Sequence, residues 1–163
     1  MFFSSKNSEK YRALLNLFYI VYSIIMFIVY YGYVLLDRHR LIQSKIYISK
    51  PSLTQQDSIA IERLGNLISY FERSFLYLFI IALLIILTLF RKDIKVNTHF
   101  LLLNMSLFGG IALINEIIFR VTHLPIGNLM QPLFVPSYIL LGAFIYVLCA
   151  ARLKSRHGEP RIG

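Results

Sequence analysis

The chain has 163 residues, 57% of them hydrophobic and 15% aromatic, and a formal net charge of +9. That length holds one domain, and uncharged runs long enough to cross a bilayer exclude a soluble helical bundle, which needs a polar stripe on every helix. The positive charge sits at span ends and tails, where the asymmetry of a membrane accounts for it, so it implies a lipid bilayer and no nucleic acid.

The tail up to Arg12 is polar and basic, and the run that follows is too long for a signal-peptide core and lacks a small-residue cleavage site. Residues 13–36 carry no charge and form a first span, long enough to tilt. Tyr30, Tyr31 and Tyr33 crowd its far end, where aromatic residues mark the headgroup level. The connection 37–73 changes character twice. Its first part is basic, with a strand-like alternation at 46–49; Pro51 then breaks the chain, and Ser52 or Thr54 is placed to cap a helix. From residue 58 to 73 the period is helical. Ile61, Leu64, Ile68 and Phe71 fall on one face and Glu62, Asn66, Ser69 and Arg73 on the other, which predicts an amphipathic helix in the membrane interface.

A second span covers 74–90 and ends in the basic loop Arg91–Lys95. A third covers 100–120, a fourth 133–151, and a basic tail closes the chain. The expected fold is therefore all-α: one polytopic domain over residues 1–163, with four transmembrane helices and an interfacial helix in the first outer loop. Lys6, Lys10 and Arg12, the loop's Arg91, Lys92 and Lys95, and the tail's Arg152, Lys154, Arg156 and Arg161 put both termini and that loop in the cytoplasm. Arg38, Arg40, Lys45 and Lys50 push the other way, at lower density.

No catalytic set emerges. Asp37, Asp57 and Asp93 all lie outside the uncharged runs, so no aspartyl pair sits in the membrane. His39, His99, His123 and His157 are isolated and make no metal-ligand spacing. No nucleophile–histidine arrangement or phosphate loop is present. The single Cys149 excludes an internal disulfide. A non-enzyme without cofactor or metal is expected.

The third span carries the unusual residues. Glu116 and Arg120 are one helical turn apart and can pair. Gly109 and Gly110, with Ser106 before them, would let another helix approach closely. Asn104 and Asn115 are three turns apart and share a face. Read together, Asn104, Asn115, Glu116 and Arg120 form a polar stripe that should face protein rather than lipid. These residues, with Gly109, Gly110 and Arg73, are the candidate contacts to another membrane protein. A local ion pair that only anchors the span is the plainer reading.

The layout of four spans, cytoplasmic tails, a long first outer loop and a short basic inner loop resembles the immunity proteins against A-type pore-forming colicins. Pro51-Ser52-Leu53-Thr54 is similar to that family's Pro-Ser-aliphatic-Thr in the outer loop, and Leu87-Thr88 before Phe90-Arg91 to the exit of its second span. Glu72-Arg73-Ser74-Phe75 stands where that family has Lys-Thr-Ala-Pro. The resemblance implies an inner-membrane inhibitor that binds the toxin's inserted helices. A second resemblance is to signal peptidase II, carried by Gly109-Gly110, Asn115, Arg120, Ser137 and Gly142-Ala143. Phe119 and Pro136 replace that family's catalytic aspartates, which implies a scaffold dead for aspartyl chemistry. A structural subunit of a larger membrane complex is the remaining class.

Overall fold

The computed structural model describes residues 5–91, 93–123 and 126–158, with side chains from 11 to 152 apart from 92 and 124–127. Lys92 and Arg161 lie outside the described residues, as do the side chains of Lys6, Lys10, Lys154 and Arg156. Four helices account for nearly all of it: α1 (Ser5–Ile48), α2 (Gln55–Leu89), α3 (Ile94–Thr122) and α4 (Ile126–Gly158). Each is long and apolar enough to cross a membrane, and large apolar side chains such as Leu14, Ile28, Ile81, Leu113 and Leu141 cover the outside. The chain is an all-α, four-helix membrane protein.

The helices outrun the uncharged segments. Between Gly32 and Pro51 no residue stops α1, so it continues past Leu36 and takes in residues 46–48, where the alternation had pointed to a strand. A strand there would have no partner for its backbone groups, whereas a helix satisfies them locally. α2 starts at a capping box: Thr54 Oγ1 accepts from Asp57 N, and the Asp57 carboxylate accepts from Thr54 N at 3.0 Å. Lys50 holds the same carboxylate at 2.7 Å across the turn. The amphipathic stretch 58–73 is helical and is the first half of α2, unbroken into the second span. Its Ile68 is buried, Leu64 and Phe71 are half-buried against the core, and Ile61 is exposed. Asp93 caps α3, accepting from Lys95 N and Val96 N, so α3 begins six residues before the expected span. His123 ends it in the left-handed conformation, φ 53°, its N–H donating to Phe119 O.

Short turns make the four helices run up, down, up, down. α1 packs chiefly on α2 and α3 on α4, with α2 also against α4; the backbones of α1 and α3 stay further apart. Gly32 brings the first pair close, because a Cβ there would lie 2.3 Å from the Phe71 ring. Phe75, Phe79, Phe100, Phe108, Leu129 and Leu140 fill the middle. From the level of Tyr30 and Asn115, α1 continues roughly 27 Å and α3 roughly 10 Å at 1.5 Å per residue. The α1–α2 hairpin therefore overhangs the α3–α4 turn.

Candidate functional site

The space between α1 and α3 is bridged by tyrosines. Tyr19, Tyr22, Met26, Tyr30 and Tyr33 follow one another at intervals of three and four on the buried face of α1. The phenol of Tyr22 donates to Asn104 Oδ1 at 2.6 Å, and Asn104 Nδ2 donates to Phe100 O at 2.9 Å. Two turns further along α1, the single hydrogen of Tyr30 is shared between Asn115 Oδ1, 2.5 Å away, and Leu129 O, 2.9 Å away. Asn115 Nδ2 faces that carbonyl at 3.3 Å and the Met130 sulfur at 3.5 Å. Both asparagines are wholly buried. Without water, each amide unpaired would cost about 1–3 kcal/mol, and the tyrosines remove that cost.

Tyr33 completes the set for a different reason. Pro132 lies inside α4 and has no N–H to give to the carbonyl four residues earlier, that of Asn128. The Tyr33 hydroxyl donates to that carbonyl at 2.5 Å. The two upper tyrosines, expected at the headgroup level, are thus interior residues that serve a proline-interrupted helix; Tyr31 alone is partly outside. Below them Tyr19 donates weakly to Val96 O at 3.4 Å. At the far end of the stripe Asp37 is buried, with the Arg40 guanidinium 2.5 Å from its Oδ1 in a geometry that makes no hydrogen bond.

The residues singled out by sequence fall in three places. Asn104 and Asn115 face inward, as their shared periodicity requires. Glu116 and Arg120 do not continue that stripe: Glu116 follows Asn115 and so points about 100° away around the helix. Their ion pair, Arg120 Nε to Glu116 Oε1 at 2.9 Å, has side chains 76% and 43% exposed respectively, and neither Arg73 nor His123 joins it. Gly109 and Gly110 lie on the outward part of α3, and a Cβ added at either would meet nothing within 4 Å. Arg73 is remote from both groups. It lines a small cleft between α2 and α4 with Ser69, Glu72 and Gln131, where Gln131 Nε2 donates to both Glu72 oxygens at 3.1 Å.

Among the described residues no three His, Cys, Asp or Glu side chains converge. Asn104 and Asn115 and the phenols of Tyr22 and Tyr30 are neutral and engaged with one another, an arrangement that orients helices. Comparison with known proteins finds no family model, no curated relative and no solved structure that matches the chain. The tyrosine ladder was the feature sequence reasoning missed. Its signal is present as a Tyr-x-x-Tyr pair at 19 and 22, repeated at 30 and 33.

Proposed function

We propose that the chain is a non-enzymatic integral membrane protein that binds another membrane-inserted protein through the outer face of α3, as an immunity protein that blocks a pore-forming bacteriocin. The observation that carries this reading is the emptiness around Gly109 and Gly110. Neither glycine is needed for the packing of this bundle, yet each lowers helix propensity by about 1 kcal/mol relative to alanine. On a lipid-facing surface small residues serve the close approach of a second helix.

The same surface offers Ser106 below the glycines and Leu113 and Ile117 above them, with the Glu116–Arg120 pair toward the end of the helix. A toxin helix seated there could form polar contacts with that pair while its backbone lies against the notch. Holding an inserted helix in this way would stop a channel from assembling. The reading places the protein in a bacterial inner membrane with both termini in the cytoplasm, in keeping with the basic residues of the tails and of the loop 91–95.

The test is protection. Cells that express the chain are challenged with a panel of A-type pore-forming colicins, and potassium efflux is recorded. Protection by the unaltered chain and its loss in Gly109→Leu, at equal membrane abundance, is the expected result. Failure to protect against any toxin, together with copurification in a larger complex, would favour a structural subunit instead.

A further inference from the structure

A second surface, distinct from the α3 face, lies between the first half of α1 and the second half of α2. It is an open apolar groove of about 650 Å³, bounded by Tyr11 and Ile25 on one wall and Leu78 and Phe90 on the other. Of its lining only Tyr11 and Tyr22 carry polar atoms, and the Tyr22 hydroxyl is committed to Asn104. We infer that this groove holds one acyl chain of an anionic phospholipid, whose phosphate is bound by Arg12 and Arg91 at its mouth.

Three features favour that occupant. The walls are roughly 18–21 Å long at 1.5 Å per residue, enough to run the depth of one leaflet, which is about half of a 30 Å hydrocarbon core. Arg12 and Arg91 directly follow Tyr11 and Phe90, which line the same end of the groove. Neither arginine lines the groove itself, but both are exposed, each stands at the level of that end, and neither has a carboxylate within ion-pair distance among the described residues. Two such cations at the end of a tail-sized furrow complement a phosphodiester. Apart from Tyr11 and Tyr22, the walls are built of leucine, isoleucine, valine and phenylalanine with one small residue, Ala82. Long side chains of that kind follow a flexible acyl chain, whereas a docked helix needs small residues such as those on α3.

The experiment titrates the purified full chain in detergent with dioleoylphosphatidylglycerol or dioleoylphosphatidylcholine and measures retained lipid by native mass spectrometry. Phosphatidylglycerol should be retained preferentially. Arg12→Gln with Arg91→Gln should remove the preference, at roughly fivefold per arginine, the gain of one cation near an anionic lipid surface. Ile85→Trp, which fills the groove from a partly exposed position, should weaken retention of both lipids. Equal retention of the two lipids by the unaltered chain would overturn the inference, as would a preference that survives loss of both arginines. A photo-crosslinking residue at Leu14 should trap lipid in cells; capture of a protein helix there instead would also overturn it.

Discussion

Tyr30 of α1 and Asn115 of α3 meet at 2.5 Å in the interior of the bundle, and the carbonyl of Leu129 on α4 lies 2.9 Å from the same hydroxyl. Three helices are thereby joined at one buried point. Removing the hydroxyl in Tyr30→Phe leaves Asn115 Oδ1 without its donor in a region that water does not reach. Interhelical hydrogen bonds in membranes average about 0.6 kcal/mol and reach about 1.7, while an orphaned buried acceptor costs about 1–3. The expected loss is about 1–2 kcal/mol in detergent unfolding, and Tyr30→Phe with Asn115→Leu should lose less than the two single changes combined. Strict additivity would mean that the two residues do not act as a unit.

Gly32 and Phe71 set the closeness of α1 to α2. A methyl at position 32 would sit 2.3 Å from the ring edge, so Gly32→Ala must displace Phe71 or part the helices. Overpacking of this kind costs about 1–3 kcal/mol. Shortening the ring in Phe71→Leu should restore part of the lost stability in the double variant. A Gly32→Ala protein as stable as the unaltered one would show that Phe71 swings away freely.

The four spans were legible because uncharged runs of their length have few alternatives, but their ends were not. Charges at Asp37 and Arg73 bounded the uncharged runs and were read as limits of the spans, although the helical backbone is broken only around Pro51 between Ser5 and Leu89. The inward face of Asn104 and Asn115 followed from a spacing of three turns. Glu116 was assigned to the same stripe by proximity in sequence, where a step of one residue turns the side chain through 100°. Tyr30 and Tyr33 were hidden by a general rule: tyrosines near a span end mark the interface unless something buried needs their hydroxyls. Here Asn115 and the carbonyls of α4 did, and those partners are remote in sequence.

Topology follows from the same frame. A reporter fused after Gly163 and one placed within the loop 91–95 should both read cytoplasmic, and a tag inserted at 51–53, in the turn of the overhanging hairpin, should be accessible from outside. The tag leaves the Thr54–Asp57 cap intact. A cytoplasmic reading in the hairpin turn would invert the orientation drawn from the basic residues.

The Glu116–Arg120 pair allows structure and recognition to be separated. Arg120 is largely and Glu116 partly outside the bundle, and among the described residues each is bonded only to the other; pairs of this kind at i, i+4 contribute about 0.3–0.5 kcal/mol when solvated. Near the end of α3 each charge can reach the headgroup region without the other. Glu116→Gln, Arg120→Gln and the double variant should therefore insert at close to normal abundance, unlike changes to Asn104 or Asn115. If the outer face of α3 binds a partner helix, the same three variants should lose protection, and Gly109→Leu should do so as well. Membrane abundance and protection are measured on the same cells. Normal protection in all four variants would remove this face from the binding surface; a fall in abundance that the double variant repairs would show instead that the pair anchors α3.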